Sequence, residues 1–211
     1  MKRMSRLALV LACVTGSFCF SGCGPAYTSM LYKSGSKTRG IALMLPVVQT
    51  TASVLASSAI NWDLREEFNT EIARRLSNSG KIYLLNQNVS SYVAEAFNSP
   101  ISIVESAVSS QVLPAEFVIA TEILEQSLPK NESDPIRVSA RVRLFDVRKG
   151  SVKLVYQEIM EIKQPQATIS SDYNRLNWQH KNFDSTPLGL AHNRLIKEIV
   201  ARVEGYVCAN Y

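Results

Sequence analysis

Two short apolar runs on either side of one well-signalled helix limit what this chain can fold into. Gly40 to Val48 (GIALMLPVV) is continuous rather than alternating, the pattern of a strand buried on both faces. Asp63 then caps a helix, with Glu66 three residues later as a capping box, and Leu64, Phe68, Ile72 and Leu76 recur at every fourth position. Asn78 to Gly80 ends that helix, and Lys81 to Asn86 (KIYLLN) reads as a second buried strand. Two such strands joined through a helix pair in parallel by a right-handed crossover. A parallel pair needs cover on both faces, so the rest of the chain must supply it.

The remaining pattern does so. Ser90 or Ser91 opens a short helix through Phe97, and Ser99-Pro100 starts another with Ile101, Val104, Val108 and Val112 along one side. Phe117 to Leu124 is a third strand. Ile136, Val138, Ala140, Val142 and Leu144 alternate with Arg137, Ser139, Arg141 and Arg143, as in a strand with one buried face. Asp146 to Gly150 makes a hairpin turn, and Ser151 to Ile162 returns as a fifth strand. Residues 163–185 are polar with no period. Thr186-Pro187 caps a final helix toward Val207, with Leu188, Ala191, Leu195, Ile199, Val203 and Tyr206 as its stripe. The expected order is β-α-β-α-α-β-β-β-α. That is a single mixed α/β domain over residues 40–211, with about five strands in a mixed sheet and three to four helices.

The first 39 residues follow other rules. Met1 to Arg6 is basic, and Leu7 to Phe20 is an apolar or small run of signal-peptide length. Phe20-Ser21-Gly22-Cys23 resembles the lipobox of bacterial lipoproteins, with phenylalanine where leucine is usual. The resemblance implies a signal peptide over 1–22, cleavage before Cys23, and a covalent lipid on that cysteine, S-diacylglycerol plus an N-acyl chain such as palmitate. Secretory cleavage without lipid, an uncleaved anchor, and a rival box at Val10-Leu11-Ala12-Cys13 stay open from the residues alone. Gly24 stands where an aspartate would favour inner-membrane retention in enterobacterial sorting, which points to the outer membrane. Residues 23–39 read as a Ser/Gly-rich tether with a reach of roughly 20 Å for about 15 flexible residues.

Cutting at Cys23 changes the composition that matters. Lys2, Arg3 and Arg6 precede it and no acid does, so beyond it 20 basic residues face 18 acidic ones and the net charge falls from +5 to +2. The domain is therefore not strongly basic, and nucleic-acid binding is not expected. Of the four cysteines, Cys13 and Cys19 leave with the signal and Cys23 is acylated. Cys208 remains, either a small partly buried residue of the last helix or the site of a disulfide between two copies.

Several stretches together resemble an envelope-lipoprotein architecture shared by the TolB amino-terminal domain, the activator LpoB and the curli lipoprotein CsgG. They are Ile41 to Val47, Leu76 to Ile82 and Ala115 to Ile123. Over the whole chain the sequence is similar to uncharacterised lipoproteins of chlamydia-like bacteria. The resemblance covers most of residues 40–160, lies in the core pattern, and implies a fold and an envelope setting. Relatives of this kind bind proteins, so a protein partner in the envelope is expected. The alternative is a subunit of an oligomeric secretion or assembly complex like the curli lipoprotein.

Chemistry-bearing motifs are sparse. Asp63, Glu66, Glu67 and Glu71 crowd one helix start, where they read as a cap, dipole-favourable charges and a Glu71–Arg75 pair on a solvated face. His180 and His192 are the two histidines and lack metal-ligand spacing, and both read as ordinary residues. No phosphate loop or nucleophile elbow is present. The chain is thus expected not to be an enzyme and to hold no metal or diffusible cofactor. Candidate binding residues are Arg137, Arg141 and Arg143 on one strand face, and Trp178 in the long polar segment.

Overall fold

Continuous apolar runs and capped helices become the elements their patterns predict. The structure, a computed structural model, describes residues 39–50, 60–85, 97, 115–128, 134–149, 151–165, 173 and 175–210. Among these are strands β1 (Gly40–Met44), β2 (Val48–Gln49), β3 (Ile82–Leu85), β4 (Phe117–Ser127), β5 (Ile136–Asp146) and β6 (Lys153–Gln164). The helices are α1 (Leu64–Ser79) and α2 (Pro187–Ala209), the latter preceded by a 3-10 turn at Phe183–Ser185. The two helices expected between residues 90 and 112 lie outside the described residues, apart from the buried Phe97.

The strands form one mixed sheet in the order β3-β1-β4-β5-β6. β1 runs parallel to β3 and to β4, while β4, β5 and β6 are antiparallel. The first apolar run is two strands rather than one. β1 stops at Met44, and β2 resumes beside Glu122 and Ile123 of β4. Pro46 sits in the gap, where it has no N–H to give a ladder. The backbone N–H groups of Leu45 and Thr50 still reach Ile119 and Ile123 on β4, so the chain stays beside its partner. β4 runs past the predicted Leu124 to Ser127 because a bulge there absorbs one residue and pairing with β5 resumes.

Both helix starts and the stop of α1 fall where the sequence signals place them, though among the described residues Glu66 returns no bond to Asp63 to complete a capping box. Asp63 accepts the Arg65 N–H, and Gly80 takes the left-handed conformation (φ 66°) that closes α1. Thr186 caps α2, with Pro187 in its first turn.

Each face of the sheet carries its own apolar cluster. On the helix face, Phe68, Ile72 and Leu76 of α1 and Leu195, Ile199 and Val203 of α2 pack on Phe117, Ile119, Val138 and Val142. The opposite face holds Leu43, Val118, Ala120, Phe145 and Phe97, the last two edge-on at 4.8 Å. Phe97 thus helps cover the sheet face opposite α1 and α2.

Candidate functional site

The helix face holds a polar constellation that periodicity did not announce. Glu67 falls three residues after Leu64, at the edge of the α1 stripe, and is 2% exposed. His192, in the second turn of α2, is 1% exposed. Glu67 Oε1 lies 2.6 Å from His192 Nδ1, and Glu67 Oε2 accepts the Trp62 indole N–H at 2.7 Å. A carboxylate so close to Nδ1 requires a hydrogen between them, which leaves Nε2 as the imidazole's second functional atom. That Nε2 is buried and, among the described residues, has no hydrogen-bond partner. Phe68 and Phe183 close on the ring edge-on at 5.2 and 5.8 Å. The acids at the start of α1 are therefore not all on a solvated face: Glu67 points inward because its position in the turn is fixed by the Asp63 cap.

The opening of α2 makes room for this arrangement. Thr186 Oγ1 donates to the Phe183 carbonyl at 2.7 Å and accepts the Gly189 N–H at 3.0 Å, folding the 3-10 turn against the first helical turn. A Cβ on Gly189 would meet the Phe183 carbonyl oxygen at 2.0 Å. Glycine is required there by close approach, its backbone being ordinary helix. Phe183 is thereby held against both His192 and Trp62, whose ring lies 5.6 Å from it.

A cavity of about 180 Å³ opens between α1, α2 and the segment that precedes α2, and both Glu67 and His192 line it. Trp178, His180 and Lys181 line it from that segment, and Arg74, Arg75 and Asn193 from the helices. The volume suits one functional group or a very small molecule, since sites for larger ligands run to roughly 300 Å³ and above. Glu71 is bound by Arg74 at 2.5 Å and lies 3.6 Å from Arg75, so its expected partner is the more distant of two. The Arg74 hydrogen bond holds the Glu71 carboxyl below its ordinary value. Arg75 also donates to Asn193 Oδ1 at 2.8 Å, a second polar link between the helices.

The residues singled out from sequence are not brought together. Trp178 and both histidines meet at this cavity, on the helix face. The three arginines of β5 point to the other face, where neighbours engage them. Arg141 reaches Glu122 on β4 at 2.8 Å, and Arg137 lies 3.8 Å from Glu161 on β6. Arg143 donates to Gln157 Oε1 and to the Phe97 carbonyl, and burial, with Arg141 nearby, lowers its guanidinium from the ordinary value. Of the following turn, Arg148 is tied to Asp146 and to the Asn210 carbonyl. His192 is not an ordinary bystander of the stripe but a buried member of it. Cys208 is exposed, not partly buried, because it falls on the outer side of the last turn of α2. Cys23 and the lipobox residues Phe20, Ser21 and Gly22 lie outside the described residues. Among the described residues no group of three or more His, Cys, Asp or Glu side chains could hold a metal ion.

Fold and cavity together define a mixed α/β domain with two helices on one sheet face and a small polar cleft between them. The chain belongs to DUF7499, a family of unknown function, whose pattern matches residues 28–211. It is similar to the solved hypothetical protein CT253 from Chlamydia trachomatis, with 47% identity over 81% of this chain and 99% of that one, and a TM-score of 0.73. Protein XCC0632 from Xanthomonas campestris is 8% identical over 81% of this chain and 84% of its own, with a TM-score of 0.47. Lipoprotein GNA1162 from Neisseria meningitidis is 17% identical over 76% and 96%, with a TM-score of 0.39. The last two likenesses are too remote to speak for this chain. No curated protein matches it.

Proposed function

We propose that this protein is anchored by lipid to the bacterial envelope, faces the periplasm, and works by binding a protein partner rather than by catalysis. The observation that carries the reading is Phe20-Ser21-Gly22-Cys23, placed after a basic start and the apolar run Leu7 to Phe20. Two further facts support it. The unit that holds the described residues begins at Arg39, and the family pattern begins at residue 28, both past Cys23. Attachment in this reading is through the lipid on Cys23. The core-level likeness to the TolB, LpoB and CsgG group favours the same setting, and Gly24 favours the outer membrane.

In this reading the buried pair is a rigid part of the binding face. Glu67 is shared between His192 and Trp62 and the ring is flanked by phenylalanines, which fixes the imidazole in place. Trp178 is a half-buried aromatic in the lining of the cleft, a residue type common at protein interfaces. Metabolic labelling with a palmitate analogue tests the anchor. Wild type takes up label and shows a processing shift, and Cys23→Ala shows neither; label retained by Cys23→Ala refutes it. Crosslinking in whole envelopes tests the partner, and recovery of this chain alone counts against one.

A further inference from the structure

β6 is a long edge strand. Its 12 residues pair with β5 along one side, and among the described residues nothing pairs along the other. The opposite edge, β3, has only 4 residues. In an antiparallel ladder alternate residues turn their N–H and C=O outward, so β6 presents a row of outward backbone groups. Features that blunt such an edge stand at its ends. They are a register shift between Leu144 and Phe145 on β5, beside the start of β6, and Pro165 just past its end. Between them Tyr156 to Gln164 runs without a break in register. Ile159 lies near the middle of that run, 57% exposed, on the face away from the helices.

We propose that β6 pairs antiparallel with β6 of a second copy, about a two-fold axis at Ile159, and so joins the two sheets into one. Such a pair must set one residue opposite itself, and the side chains choose which. Centring on Glu158 or Glu161 opposes like charges directly, which is destabilising. Centring on Met160 sets Ile159 against Glu161, and centring on Gln157 or Ile162 leaves part of the regular run unpaired. Centring on Ile159 brings the two exposed isoleucines together, Gln157 opposite Glu161 and Tyr156 opposite Ile162, with no like charges opposed. The helix face agrees. α2 lies over β5 and β6, with Tyr206 5.9 Å from Tyr156 between rings and Arg202 3.2 Å from Glu158. Two steps along β6 thus match four along α2, which sets the axis at Ile159 level with Val200. The exposed Glu198 and Arg202 stand equally to either side of it, so Glu198 of one copy faces Arg202 of the other. With strands about 4.8 Å apart, the two α2 helices come roughly 10 Å apart, near the spacing of packed helices.

The test uses the full chain, with Cys208→Ser as background because Cys208 is an exposed thiol. Residues directly opposite in antiparallel strands have Cα atoms about 4.5–5.5 Å apart, within reach of a disulfide. Under mild oxidation Ile159→Cys is expected to give a covalent dimer at least about tenfold above the background. Gln157→Cys and Glu161→Cys should each stay uncrosslinked alone and crosslink when combined. Ile159→Lys, a change at an exposed side chain, sets two cations on the axis and should weaken the dimer at least about tenfold in sedimentation of detergent-extracted protein. Ile159→Cys that crosslinks no more than the background, or only to a different protein, overturns the second copy. Gln157→Cys that crosslinks alone as well as with Glu161→Cys overturns the register, and an Ile159→Lys dimer as tight as wild type overturns the edge as the contact. The pairing does not rest on the lipid anchor or on a further envelope partner, so its failure leaves that reading standing.

Discussion

The two faces of the sheet solve the problem of polar groups beside a core in opposite ways. On the face opposite the helices, Arg137, Arg141 and Arg143 lie beside the apolar cluster, and each finds a partner on a neighbouring strand or at Phe97. Their polar heads stay partly in solvent, and Ile159 between them is 57% exposed. On the helix face, Glu67 and His192 are taken fully out of water, and among the described residues His192 Nε2 is buried without a partner. Ion pairs near solvent contribute little and tolerate loss, while a buried pair is costly to break. The helix face is therefore where substitutions should hurt stability most, and the arginine face where they should hurt it little.

Breaking the buried pair tests that contrast hardest. His192→Ala strands the Glu67 carboxylate and should lower unfolding stability by about 3–5 kcal/mol in urea titrations. Next comes Gly189→Ala, which drives a methyl into the Phe183 carbonyl and should cost about 1–3 kcal/mol or more, with loss of the Trp62–Phe183 contact seen in tryptophan fluorescence. Glu67→Gln keeps an oxygen for Trp62 and an N–H for His192. It should cost about 1–2 kcal/mol and move the histidine hydrogen to Nε2, visible by 15N NMR.

The other face gives the small numbers. Arg143→Met should cost about 1 kcal/mol, from the lost bond to the Phe97 carbonyl, and Arg137→Ala within about 0.5 kcal/mol. If Arg137→Ala rivals His192→Ala, the contrast between the faces fails. Acid titration gives the most diffuse effect. Asp63, Glu71 and Asp146 are held below their ordinary values, chiefly by hydrogen bonds from Arg65, Arg74 and Arg148. Groups depressed on folding add stability above their unfolded pKa of about 4 and lose it as pH falls through the folded one. Stability should thus decline below about pH 5, and Arg148→Met should flatten the share due to Asp146.

Most of the architecture was legible along the chain. The apolar run at Gly40, the Asp63 and Thr186 caps, the stop at Gly80 and the alternation from Ile136 each record a local rule that survives packing. The split of the first strand was less visible, because Pro46 breaks a ladder only once a neighbour exists to pair with. The arginines of β5 read as a surface because alternation shows which residues share a face, and it is silent about what lies across the ladder. Glu67 was grouped with exposed acids because its chemistry outweighed its position, although its spacing from Leu64 placed it at the edge of the stripe.

By itself, the chain determined the class of its strands and helices and the positions where they stop, since these depend on periodicity and on backbone groups a few residues away. It also places Lys2, Arg3 and Arg6 ahead of Cys23, so the proposed cleavage there would take the net charge from +5 to +2. The cleft was decided by tertiary structure alone. Glu67 and His192 are 125 residues apart, and nothing near either one specifies the other. Only when α1 and α2 pack on the same sheet face, with glycine at 189 letting the Phe183 turn close over them, does a carboxylate meet an imidazole out of water.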